Sequence, residues 1–404
     1  MKVALIGNMN NNANNLAHYL LDAGVDCDVL FFANEASHFR PEADNVMPVR
    51  YGAKQLTWGG YAAYFTTPAA TIRADLAEYD FLIGSRLAPA YVAKAGRVLD
   101  IFMPTGGDLH TVPVWNGWAL KDVVKYLLFA RIQCQAIGKV GALYWDVTND
   151  EIEETIAPFT SHLPRMSHAI PMIYHPEYQD DALAERRAAS EWLSRFQEAR
   201  QGADIFLFSH VKHVWTPRGI AHYGRFHEKG NDQIIRALAG YYQSNPSKSL
   251  RLALFEYGDD HPSTRALARE LNVDEHITWF PQMPRREIMM GIGVSDGVIG
   301  EIARSWFSYG TILEAMVMRK PVLHHRNDAL YPGQDFYPMI HVHDAQSLCS
   351  AFRDIADGQV DLRYTGDRAH DWLVKASVTP AIQDIVNRID AKRTRLRDQS
   401  ETSH

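Results

Sequence analysis

The chain has 404 residues, of which 46% are hydrophobic and 22% charged, which excludes a disordered chain. Its net charge of −7 excludes a global positive field, and no nucleic-acid partner is expected. Three scattered cysteines, Cys27, Cys134 and Cys349, lack zinc-site or disulfide spacing and point to a reducing cytoplasm.

The length fits two domains of roughly 150–200 residues each. In the first, short apolar runs predict buried parallel strands at Val3–Ile6, Val29–Phe32, Phe81–Ile83, Val98–Met103 and Ala142–Trp145. Amphipathic stretches at Asn15–Ala23 and Leu120–Ile137 predict helices between them. Residues 182–203 are charged, have no strand character, and read as a connector helix. A second series follows, with strands at Ile205–Phe208, Leu250–Phe255, Ile277–Phe280, Gly297–Ile299, Pro321–His324 and Ile340–Val342. Its helices are predicted at Asp232–Tyr242, Ser263–Leu271, Arg285–Met290, Thr311–Met318 and Ala345–Asp357. After Asp361 the strands stop. Thr379-Pro380 opens one more helix to Lys392, and the polar tail Arg393–His404 is expected to fray.

This alternation predicts an α/β protein of two tandem Rossmann-like doubly wound domains. The expected domains are 1–181 and 204–376, joined by the connector 182–203, with a helix in 377–404 packing back toward the first domain. Open parallel sheets bind ligands outside the carboxyl ends of their strands, so a two-substrate cleft between the domains is expected. No run reaches the ~18 apolar residues of a membrane span.

Four segments carry the candidate chemistry. The first is Ser305-Trp306-Phe307-Ser308-Tyr309-Gly310-Thr311-Ile312-Leu313-Glu314-Ala315-Met316, followed by Arg319-Lys320-Pro321-Val322-Leu323. It is a loop, a helix start and a strand opened by proline. A helix start offers N–H groups and a partial positive charge to a diphosphate, and Gly310 permits a close backbone approach. Glu314, one turn inside the helix, either takes the hydroxyls of a ribose or stabilises the helix dipole. The second segment follows the strand Ile205–Phe208 and carries Lys212, Gly224-Arg225 and Lys229-Gly230, cations placed to hold phosphates. The third is Pro104-Thr105-Gly106-Gly107-Asp108-Leu109-His110, at the carboxyl edge of the first sheet, where Asp108 either caps a turn or faces the reaction. The fourth is the first turn, with Asn8, Asn10, Asn11 and Asn12 where many nucleotide-binding folds carry glycines. It either binds acceptor hydroxyls or phosphate, or caps a helix. It is not a dinucleotide fingerprint.

The Ser305–Met316 stretch with its Pro321-Val322 resembles the donor-binding segment of family 4 retaining glycosyltransferases, which have the GT-B fold. That segment commonly reads Glu-Gly-Phe-Gly-x-x-x-x-Glu-Ala-Met and ends in Gly-x-Pro-Val. The resemblance implies a sugar moved from a nucleoside-diphosphate sugar to an acceptor hydroxyl, with retention. Glu314 then holds the ribose, with Ser308, Gly310 and Thr311 around the donor. The family's first glutamate falls on Trp306, and Glu301 on the same loop is the nearest carboxylate to replace it. Lys229-Gly230 matches the family's Lys-Gly, and either Lys212 or Arg225 matches its arginine. Asp108 and His110 resemble a loop near the reacting sugar, so Asp108, His110 and Glu301 are the catalytic candidates. No cofactor and no metal are implied, since lysines and backbone dipoles carry the diphosphate charge. Asp26-Cys27-Asp28 opens a strand and reads as surface charge.

The implied partners are the nucleotide-sugar donor and a sugar, lipid-linked or small-molecule acceptor, as in polysaccharide or glycoconjugate synthesis. Residues 120–140 mix Lys121, Lys125, Arg131 and Lys139 with Tyr126, Leu127, Leu128 and Phe129, which suits a sheet-covering helix or peripheral contact with an anionic membrane. Two rival functions stay open: an epimerase of the same fold acting on the sugar nucleotide, and a binding protein without catalysis. The sequence leaves the oligomeric state open.

Overall fold

The computed structural model describes residues 1–46, 48–114, 123–145, 150–166, 168, 171–216 and 228–401. The chain divides into two compact units: Met1–Tyr174 with Lys375–His404, and His175–Val374.

Among the described residues the first unit holds seven parallel strands: β1 (Val3–Ile6), β2 (Cys27–Phe31), β3 (Gly52–Gln55), β4 (Phe81–Gly84), β5 (Ile101–Phe102), β6 (Leu143–Tyr144) and β7 (Arg165–Met166). They lie in the order β3-β2-β1-β4-β5-β6-β7, and Val3 of β1 stands opposite both Cys27 of β2 and Phe81 of β4. A central parallel strand is covered on both faces, so it reads as an unbroken apolar run. All four residues of β1 are buried. Helix Asn12–Asp22 turns Ala13, Leu16, Ala17 and Leu20 onto one face of this sheet. Ala381, Ile385 and Ile389, spaced four apart on helix Thr379–Glu401, enter the same core. The helix runs to Glu401, so Arg393–Glu401 does not fray as expected from its polarity. Exposed i,i+3 and i,i+4 contacts such as Arg393 Nη1 to Asp390 Oδ1 at 2.9 Å accompany this continuation.

Among the described residues the second unit holds six parallel strands: β8 (Ile205–Ser209), β9 (Leu250–Phe255), β10 (Ile277–Phe280), β11 (Gly297–Ile299), β12 (Val322–His324) and β13 (Ile340–His341). Their order is β10-β9-β8-β11-β12-β13. Helices Asn231–Gln243 and Ala345–Ala356 cover one face through Ile234, Ile235, Leu238, Leu348, Phe352 and Ile355. Asp344 starts the second of these helices with a capping box: Ser347 N donates to Asp344 Oδ1 at 2.7 Å, and Asp344 N donates to Ser347 Oγ at 3.0 Å. Residues 182–203 are not one connector helix. They fall in two helices, Asp180–Ala189 and Leu193–Arg200, inside the second unit, where Phe196 is fully buried. Helix Leu362–Trp372 follows the last strand. Among the described residues no helix is long and apolar enough to cross a membrane.

Candidate active site

In each sheet the strand order reverses beside the first strand of the unit. β1 lies between β2 and β4, and β8 lies between β9 and β11. Connections leave such a point in opposite directions and open a crevice at the carboxyl ends of the strands, where ligands bind in open α/β sheets. The two carboxyl edges carry different chemistry.

At the second sheet, β8 delivers His210, β11 delivers Gly300-Glu301, and β12 delivers His325. Lys229 reaches the same edge because its loop is pinned at both sides. Its N–H donates to Val214 O at 2.7 Å, and Ile302 N donates to Lys229 O at 3.1 Å. Gly230 then turns the chain into helix Asn231–Gln243 with φ +75°, and a Cβ there would stand 3.0 Å from Ala303 N, so a side chain would be both strained and crowded. Lys229 Nζ lies 2.5 Å from Glu301 Oε1, while Glu301 Oε2 is buried without a hydrogen-bond partner. Tyr309 holds the backbone of Glu301: its hydroxyl accepts from Glu301 N at 2.5 Å. Gly300 allows the approach, since a Cβ there would stand 2.2 Å from that hydroxyl.

Helix Gly310–Val317 starts after extended Tyr309 and buries Thr311 and Glu314. Arg285 Nε donates to Glu314 Oε1 at 2.9 Å, and His210 Nε2 lies 2.6 Å from Oε2. Burial acts to raise the pKa of this carboxyl, but His210 and Arg285 outweigh it and hold the group down at about 2. Glu314 is therefore ionised at neutral pH and accepts hydrogen bonds only. His210 Nε2 also stands 3.5 Å from Thr311 Oγ1. Ser308 is half-buried in the loop before this helix, and Gly310 is the helix's first residue. Trp306 N donates to His325 O at 3.2 Å, and His325 N donates to Glu301 O at 3.1 Å, so residues 301, 306 and 325 are knitted together through their backbones.

Lys212 is exposed, with its Nζ 5.9 Å from the centre of the Tyr257 ring. The loop after it is held by Asp260, whose Oδ2 accepts from Trp215 N at 2.7 Å and Thr216 N at 2.9 Å. Arg225 lies outside the described residues. His210 and Arg285, the two partners of Glu314, are not among the candidates read from the sequence. Their signal was position: His210 is the first residue after β8, and Arg285 opens helix Arg285–Val294 behind Pro284.

At the first sheet, the asparagines bond to the protein itself. Asn8 Nδ2 donates to Asn11 Oδ1 at 2.8 Å and to Phe39 O at 2.6 Å, and Asn8 Oδ1 accepts from Asn14 N at 2.8 Å. Asn11 Nδ2 donates to His38 O at 3.2 Å. Asn10 and Asn11 both sit in left-handed backbone, at φ 55° and 58°. Asn12 opens helix Asn12–Asp22, and its Oδ1 is buried without a partner. Asp108 lies in the short helix Gly107–His110, where its Oδ1 accepts from Thr105 N and its Oδ2 from Arg86 N, both at 2.8 Å. Burial raises its pKa, opposed by those two N–H groups. His110 is half-buried beside it, with Nδ1 3.3 Å from Thr111 Oγ1. Asp28 receives the Tyr79 hydroxyl at 2.7 Å and Lys2 Nζ at 2.6 Å, a structural anchor in β2.

Comparison of the sequence with family models and with curated proteins returns no match. Solved structures do resemble the fold. HepE from Anabaena, in complex with UDP and glucose, is 13% identical, with 97% of this chain and 100% of that one covered at a TM-score of 0.59. Sucrose-phosphate synthase from Thermosynechococcus elongatus is 13% identical over 100% of both chains, with a TM-score of 0.55. UDP-GlcNAc 2-epimerase from Methanocaldococcus jannaschii is 12% identical over 92% of this chain and 98% of that one, with a TM-score of 0.52. At such identities the likeness establishes the fold: two Rossmann-like domains of the GT-B type.

Proposed function

We propose that the chain is a glycosyltransferase that moves a sugar from a nucleoside-diphosphate sugar to an acceptor hydroxyl, with retention and without a metal ion. The observation that carries this reading is the set of charges at one switch point: Lys229 with Glu301, and Glu314 held ionised between His210 and Arg285. Glu314 accepts from the ribose hydroxyls. Lys229 and the N–H groups at the start of helix Gly310–Val317 take the diphosphate and stabilise it as it leaves. Glu301, freed from its lysine, faces the transferred sugar. In the first unit, Asp108 shapes the loop through its two backbone contacts, and His110 faces the acceptor. HepE was crystallised with UDP and glucose, which makes uridine diphosphate the first nucleotide to try. The acceptor is a sugar, a lipid-linked group or a small molecule. The setting is the cytoplasm, with residues 120–140 as the segment for any membrane contact.

A thermal-shift screen against UDP, GDP, ADP, CMP and NAD tests the site. A rise in Tm with one nucleoside diphosphate, lost in Glu314→Ala, is expected; at a ligand concentration of 100 Kd the gain is about 2.7 kcal/mol. A rise with NAD alone, or with nothing, would sink the reading. The epimerase neighbour favours a second reading, conversion of the sugar nucleotide itself. Conversion without any acceptor would establish that alternative, and binding with neither conversion nor transfer would leave a binding protein.

A further inference from the structure

Trp306 occupies the position at which the resemblance to family 4 places a glutamate. A glutamate there accepts hydrogen bonds; an indole N–H can only donate one. The Trp306 Nε1 is buried and makes no hydrogen bond, and Glu301 Oε2 is in the same condition. Both belong to one backbone assembly, through Trp306 N to His325 O at 3.2 Å and His325 N to Glu301 O at 3.1 Å. Buried polar atoms are nearly always paired in native proteins, so an unmet donor and an unmet acceptor on one loop point to a ligand that satisfies both. A phosphate oxygen accepts from the indole but is repelled by the carboxylate. An apolar ligand satisfies neither. A hydroxyl both gives and takes a hydrogen bond, so a polyhydroxylated ring answers both groups.

Resting on the donor-site reading above, we infer that Trp306 is a specificity residue for the transferred sugar. Its indole N–H donates to an oxygen of that sugar, while Glu301 Oε2 accepts from one of its hydroxyls. The exchange of glutamate for tryptophan thus reverses the direction of one hydrogen bond to the sugar. It selects a donor whose oxygen at that position is oriented to accept.

The test compares wild type and Trp306→Phe, which keeps the ring and removes the N–H, by calorimetric titration. The ligands are free UDP and GDP, then UDP-glucose, UDP-galactose, UDP-N-acetylglucosamine and GDP-mannose. The expected result is an unchanged Kd for the free diphosphate and a weakening of about tenfold for the nucleotide sugar that wild type binds best. Equal weakening of both, or of neither, overturns the assignment. A measurement on wild type covers a variant that fails to fold. The Trp306 indole ¹H–¹⁵N resonance should move when that nucleotide sugar replaces the free diphosphate; a resonance that stays put overturns the assignment as well. If no diphosphate binds wild type, the donor-site reading itself falls. If diphosphates bind while both Trp306 tests are negative, only the role of Trp306 falls.

Discussion

The two sheets share a topology, yet their carboxyl edges meet the same demand in opposite ways. At the first edge, Asn8, Asn11, Asn14 and Asp108 bond to one another or to nearby backbone. Among the described residues, the buried atoms without a hydrogen bond there include the amide oxygen of Asn12 and the hydroxyl of Ser85. At the second edge, among the described residues, they include Glu301 Oε2, Trp306 Nε1 and the Nδ1 atoms of His210 and His325, beside a lysine and an ionised glutamate. The asparagine turn of the first edge is satisfied largely from within the protein, whereas the second edge keeps one carboxylate oxygen and one indole N–H without a hydrogen bond. Mutations in the asparagine turn of the first edge should therefore cost stability, and mutations at the second edge binding or turnover.

The largest effect is expected from Lys229→Met. If the lysine carries the leaving diphosphate, kcat/KM of the folded variant falls by about 10²- to 10³-fold. Steady-state kinetics read this directly, and unchanged kinetics would remove Lys229 from the diphosphate. The converse is Asn8→Ala, which strands the N–H of Asn14 and the carbonyl of Phe39. It should cost about 1–3 kcal/mol in urea unfolding and leave nucleotide affinity as it was. A loss of nucleotide binding in that variant would break the division between the edges.

Acid should act mainly on the second unit. Burial, then the charge of His261, pushes His213 down to about 4, and burial, then Arg326, pushes His324 down to about 3. Both fold as neutral rings, and unfolded histidine titrates near 6.5, so their contribution is complete above that pH. It is lost as pH falls from there toward 4 and 3, on the order of 3 kcal/mol for His213. Glu314, lowered from 4.5 to about 2, adds a further loss below 4.5. Urea midpoints measured across this range should drop in that order, and His213→Gln should flatten the first part. A variant with an unchanged acid profile would contradict the assignment. The smallest effect is expected from Lys212→Ala. The side chain is exposed over Tyr257, so stability should shift by no more than about 0.5 kcal/mol. A kinetic loss as large as that of Lys229→Met would make Lys212 the second diphosphate cation.

Most of the fold was legible because buried parallel strands announce themselves as apolar runs. Val3–Ile6, Leu250–Phe255, Ile277–Phe280 and Gly297–Ile299 have the predicted bounds. Gly52–Gln55 could not be seen this way: it is an edge strand without a single large apolar residue, and its side chains are mostly exposed. Val98–Met103 was read too long, since Val98 is exposed and only Ile101–Phe102 pairs in the sheet. At the candidate site, Lys229, Glu301 and Glu314 were legible as motif residues. The partners of Glu314 were not, because Arg285 and His210 reach it from other strand ends and no local pattern links them. The asparagine cluster showed a similar limit. Its composition left ligand contacts and helix capping both open, and only the three-dimensional bond pattern shows the amides of Asn8 and Asn11 bonded to the protein.

The first unit is assembled from two separated stretches of sequence, and this bears on how it is made. Ala381, Ile385 and Ile389 close a core whose other members all precede Tyr174. Domains tend to fold as units while the chain emerges from the ribosome, amino end first. The second unit, continuous from His175 to Val374, is complete before the first can be sealed. The nascent chain thus carries an open apolar face on the β1 sheet throughout synthesis of the second unit, a window in which a chaperone has something to hold.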